Sequence, residues 1–203
     1  MMGPMAGTGG RARRATGAAV LLVCAALGGC TAEPSGPPES QPSSDSAALR
    51  VRTVVHGDSN LTPAARAEAE GAVGDVLSGY VVNAFLGDYP REDFARSFES
   101  FTGSLARNAT GDIDQLTANR FGDAKAIRAT RLDADLSFLV EGSDVIGATA
   151  FVRFQFEATM DGVQRPLGMR GRLMLVNEDD AWSVFGYDVV TDTGDAVEAE
   201  VTP

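Results

Sequence analysis

The side chains able to do acid–base or nucleophilic work are few in this chain of 203 residues. Its one histidine, His56, precedes Gly57-Asp58. Histidine titrates near neutral pH and is the usual general base there, yet no Gly-x-Ser-x-Gly elbow supplies a serine for it to activate. Its place after a short alternating segment reads as a solvated strand end. Both cysteines, Cys24 and Cys30, lie in the first thirty residues. One imidazole and no regularly spaced carboxylates make a poor ligand set, so neither a metal nor a cofactor is implied. Carboxylates and phenols are left: Asp88 and Tyr89 together, Tyr80 upstream, and Tyr187 with Asp188 downstream. An Asp–Tyr pair in an apolar enclosure can transfer a proton. Equally, Tyr80 suits a core position with its hydroxyl at the rim, and Asp88 suits a turn or cap. No catalytic residue is assigned, and Tyr80, Asp88, Tyr89 and Tyr187 stand as a candidate pocket set.

The elements that would position these groups follow from hydrophobic period. Leu49, Val51, Thr53 and Val55 alternate with Arg50 and Arg52, which predicts a short opening strand. Leu61-Thr62-Pro63 is a helix start, with Thr62 capping, Pro63 in the first turn and Leu61 stapling. Val73, Val76, Leu77, Tyr80, Val81, Ala84 and Phe85 then recur at three-and-four spacing, predicting one helix over about 63–86. Pro90 is expected to open a second short helix carrying Phe94 and Phe98, followed by looser helical stretches at 104–108 and 112–117.

Two long alternating segments follow, 131–140 and 146–157, each with one oily face. Asp161-Gly162 is a preferred two-residue hairpin turn. It pairs Met160 with Val163, and walking back sets Phe156 opposite Leu167, Phe154 opposite Met169, Val152 opposite Gly171 and Ala150 opposite Leu173. All these apolar residues share a face, so turn chemistry and burial pattern agree. The same register sets Arg153 opposite Arg170, a like-charge pair that needs acids beside it. An odd-length connection between the first two long strands would bring their oily faces together, and one allowed register then puts Asp133 beside Arg153. A salt-bridged outer face is expected from Asp133, Asp135, Arg153, Glu157, Arg170 and Arg172, interrupted by Phe151, Met174 and Val176. Trp182–Val190 makes the last strand, with either Trp182 or Phe185 and Tyr187 inward.

The flanks carry a targeting pattern. Arg11, Arg13 and Arg14 precede an uncharged apolar run from Ala15 to Gly29, the order of a secretory signal, and the run is short for a membrane span. It ends in Leu27-Gly28-Gly29-Cys30, which resembles the lipobox of bacterial lipoproteins. The resemblance implies cleavage between Gly29 and Cys30, lipid on the Cys30 sulfur, and anchoring on the extracytoplasmic side of the cell membrane. Residues 1–29 are then signal peptide. Cys24 would be discarded, leaving no internal disulfide, and 14 basic against 28 acidic residues would give a formal charge of −14. A nucleic-acid partner is excluded on that charge. Residues 30–48, rich in Pro and Ser, read as a tether with a reach on the order of 20–25 Å. The folded domain is placed at 49–190, and 191–203 as a disordered acidic tail. Of the 17 basic residues only Lys125 is lysine, usage that suggests a GC-rich genome such as those of actinobacteria.

A long N-terminal helix, short helices after Gly87-Asp88-Tyr89-Pro90, and long antiparallel strands ending in Trp182-Ser183-Val184-Phe185 resemble the nuclear-transport-factor-2-like (NTF2-like) superfamily. The chain is also similar to its exported actinobacterial members, including those associated with mammalian-cell-entry transporters. The resemblance implies an α+β cone, its helices packed on a bent antiparallel sheet of about four strands. Two functions are expected from it. One is a non-catalytic envelope lipoprotein that binds a protein partner or an apolar ligand, with a homodimer through the sheet face as one form. The other is a small-molecule enzyme of isomerase or dehydratase type, using an Asp or Tyr in the cone.

Overall fold

Thr62 begins the long helix α1 (Pro63–Ala84) as its type allows: the side-chain oxygen accepts from the Ala65 amide at 3.1 Å, and Pro63 occupies the first turn. In this computed structural model the described residues are 46–54 and 61–194, so Cys30, the apolar run before it and His56 lie outside them, as does the acidic tail from residue 195. Along α1 the residues Ala69, Val73, Leu77, Tyr80, Val81 and Ala84 are buried on one stripe, and the helix ends two residues before the expected Leu86. Pro90 does not open a helix. The chain runs irregularly to a 3₁₀ turn at Ala95–Phe98, then through α2 (Gly103–Ala109) and α3 (Ile113–Leu116). No helix of the described residues is long and apolar enough to cross a membrane.

The strands are β1 (Leu49–Thr53), β2 (Ala126–Glu141), β3 (Asp144–Met160), β4 (Val163–Glu178) and β5 (Ala181–Asp192). They form one sheet in chain order, and the fold is α+β. Five strands, not about four, make this sheet, and it is mixed rather than antiparallel: β1 pairs parallel with β2. The connection from β1 to β2 includes α1, and a crossover of that length lets the strand return in parallel. Pairing extends past β1 at both ends, since Ala47 N–H donates to Ala129 and Val54 N–H to Leu136. Strand pairing therefore reaches into the expected tether at Ala47, and β5 runs two residues beyond the expected end at Val190.

The β3–β4 hairpin has the predicted register throughout, from Met160 opposite Val163 to Ala150 opposite Leu173. Elsewhere three single-residue bulges set which side chains face inward. The turn between β2 and β3 has only Gly142 and Ser143, an even number, and the extra residue Ile146 supplies the odd offset that the shared oily face requires. Thr130 makes a second bulge, shifting the inward set from Ile127 and Ala129 to Leu132, Ala134 and Leu136. Phe185 makes the third. It resolves the two orientations open for β5: Trp182, Val184, Tyr187 and Val189 lie against the core and Phe185 faces out.

The core lies between α1 and one face of the sheet. Phe85 stacks on Phe156 at 4.6 Å between ring centroids, and Tyr80 meets Phe85 edge-on at 6.0 Å. Such pairs add about 0.5–1.5 kcal/mol each beyond the area they bury. Gly171, at φ +140, lets the backbone of β5 lie close against β4: a Cβ there would stand 2.2 Å from the Asp188 carbonyl oxygen.

Candidate functional site

The four phenol and carboxylate candidates are not gathered into one cavity. Tyr80 is fully buried, its hydroxyl donates to the Leu116 carbonyl, and the Met169 sulfur lies 3.6 Å away. Burial drives its pKa far up, so the phenol stays protonated. Asp88 is exposed in the bend that follows α1. Tyr89 is half-buried and donates to the Phe85 carbonyl at 2.9 Å; desolvation pushes its pKa up to about 12 against the lowering effect of Arg91. Tyr187 lies beyond Phe101, which separates its ring from that of Tyr80 with centroid distances of 6.4 and 5.5 Å.

Tyr187 does meet a carboxylate, though not Asp88. Its hydroxyl donates to Asp112 at 2.6 Å, and partial burial followed by this bond raises the phenol to about 12. Asp112, in the 3₁₀ turn between α2 and α3, was not singled out by the sequence because nothing local ties it to β5. The pair sits at the surface with Asp112 exposed, so the apolar enclosure that proton transfer needs is missing around it. Between α1 and the sheet no carboxylate is buried among the described residues, and no cluster of three or more His, Cys, Asp or Glu able to hold a metal occurs among them.

The opposite, outer face of the sheet is organised in two parts. Toward the β2–β3 turn it is apolar: Leu139 and Phe185 are exposed, Val176 is half-buried, and they border an open groove of about 520 Å³. Phe151, half exposed, lies farther along β3. Met174 covers Gly186, since a Cβ on that glycine would come within 2.8 Å of the Met174 methyl. Phe185 comes outward as a bulge residue, which alternation alone does not reveal; Leu139, Phe151, Met174 and Val176 lie on the face that alternation predicts.

The other part is charged. Asp133 takes Arg50 at 3.1 Å and Arg131 together, and the Arg131 hydrogen bond leads the effects that hold its carboxyl below the usual range. Arg52 meets Asp135 at 2.9 Å, and Arg172 meets Asp188 at 2.9 Å. Arg128 pairs with Glu157. Asp133 does stand opposite Arg153, and Arg153 opposite Arg170, as the register predicts. The expected pairing of Asp133 with Arg153 is not formed, because β1 delivers Arg50 to the same carboxylate. No protein-family model matches the chain, and no curated protein and no solved structure is significantly similar to it.

Proposed function

We propose that the chain is an extracytoplasmic lipoprotein, anchored to the cell membrane by lipid on Cys30, with a non-catalytic docking domain of the NTF2-like kind. Its sheet offers the outer, apolar part of its face to a protein partner. One observation carries the docking reading: Leu139 and Phe185 are 62 and 50% exposed on the side of the sheet opposite the core, bordering one apolar groove. Large side chains exposed together, with polar groups around them, mark interaction surfaces.

An apolar ligand inside the cone has less support: aromatic side chains pack the middle of the space between α1 and the sheet, and the open groove of about 490 Å³ beside the N-terminal half of α1 is bordered by the polar Glu68, Asp144, Asn177 and Asp180. The enzyme alternative has for support only the surface pair Tyr187–Asp112. The long helix laid across one face of the sheet supports the NTF2-like likeness, while the parallel edge strand β1 is a departure from it.

A photo-crosslinking residue placed in cells at position 139 or 185 tests the docking reading against one at Val82, an exposed residue of α1. The sheet positions should yield a discrete protein adduct that Val82 does not. Equal adducts at all three, or none at 139 and 185, would overturn it.

A further inference from the structure

The charged part of the outer face does not balance. Register sets Arg50, Asp133, Arg153, Arg170 and Val190 side by side across the strands, with Arg52, Asp135, Phe151, Arg172 and Asp188 in the neighbouring row. All three carboxylates are engaged by Arg50 and Arg131, by Arg52, and by Arg172. Arg153 and Arg170 are left directly opposite each other, with no hydrogen-bond or ion-pair partner among the described residues.

Like charges in opposed positions destabilise a sheet. Carboxylates are in surplus, 28 acidic against 17 basic residues, so a shortage of acid does not explain the gap. The acid nearest in register, Asp133, is taken from both other sides. The two arginines instead line a depression of about 390 Å³ whose apolar margin is Phe151 and Val190.

We propose that Arg153 and Arg170 form a binding site for a phosphoryl group. Each guanidinium presents a planar fork of N–H donors. A carboxylate has two oxygens and satisfies one fork, whereas a tetrahedral oxyanion keeps oxygens for the second. Its charge also removes the repulsion between the two cations. A soluble phosphate ester and a phospholipid headgroup offer the same group, and the half-exposed Phe151 and Val190 beside the arginines favour the headgroup. The arginines lie apart from the groove bordered by Leu139 and Phe185, and the site does not depend on the docking reading.

The test uses the chain from residue 30 with Cys30→Ser, which carries no lipid whether or not the native protein does. It keeps the fold, because the core and the strand pairings lie within residues 47–192. Inorganic phosphate is titrated calorimetrically against chloride of equal ionic strength, and flotation is measured with phosphatidylglycerol vesicles. The R153Q/R170Q variant is compared with Arg165→Gln, which removes a charge elsewhere on β4.

Saturable phosphate binding weakened at least about tenfold in the double variant, and unchanged in Arg165→Gln, supports a site open to soluble phosphates. Vesicle binding lost in the double variant without phosphate binding assigns the site to lipid headgroups. Absence of both, or equal binding by the double variant, overturns the proposal. The double variant should melt at or above the parent temperature, which separates lost binding from lost fold.

Discussion

Tyr80→Phe removes one oxygen from the centre of the molecule and separates a structural phenol from a reactive one. The ring is fully buried and touches Phe85 and Phe101, contacts that phenylalanine keeps. What disappears is the hydrogen bond to the Leu116 carbonyl. A buried acceptor left unsatisfied costs about 1–3 kcal/mol. For a domain of this size each kcal/mol moves the melting temperature by about 2–4 °C, so a loss of about 2–12 °C is expected, with the urea m-value unchanged. The sign at alkaline pH follows from burial. The folded phenol holds its proton more tightly than the unfolded one, so its contribution is complete below about pH 10 and declines as pH rises above that. Stability of Tyr80→Phe should therefore fall less steeply in that range. An unchanged melt would refute the structural role, and a normal melt with loss of the cellular phenotype would point to chemistry at this hydroxyl.

Gly171→Ala should lower stability by about 3 kcal/mol or more in urea, because the new Cβ meets backbone of β5 that cannot yield cheaply; a parent-like midpoint would contradict the close approach. Asp133 has a lowered pKa in the fold, so its contribution is present above the unfolded value of about 3.9 and is lost as pH falls through the folded one. The stability gap between parent and Asp133→Asn should accordingly close below about pH 4, and a gap independent of pH would exclude the linkage. Cys30→Ala should release the protein from membranes, and its persistence in the pellet after a carbonate wash would remove the lipid anchor from the proposal.

Much of the sheet was legible because two independent signals coincide there. The Asp161-Gly162 turn and the oily alternation on either side of it demand one register, and a slip by one residue would expose every apolar side chain. The bulges were not legible in the same way. Alternation in β2 changes phase at Thr130 without a glycine or proline to mark the place, and the extra residue Ile146 is an ordinary strand former. Only a three-dimensional requirement, that the buried faces of neighbouring strands coincide, makes them necessary. Parity indicated that one odd offset was needed between β2 and β3, but not whether turn or strand would supply it.

The distribution of charge depends on the same long-range geometry. Asp133, Arg153 and Arg170 could be placed in one row from β2, β3 and β4, and from those strands alone Asp133 is the natural partner for Arg153. β1 changes the outcome. Its parallel docking brings Arg50 to Asp133 from the edge, while the bulge at Thr130 puts Arg131 within reach of the same carboxylate. With the acid held from two sides, the like-charged pair farther into the sheet keeps its full charge. The unpaired arginines thus follow from an edge strand and one inserted residue, each far in sequence from Arg170, and neither needs any change in the hairpin that carries them.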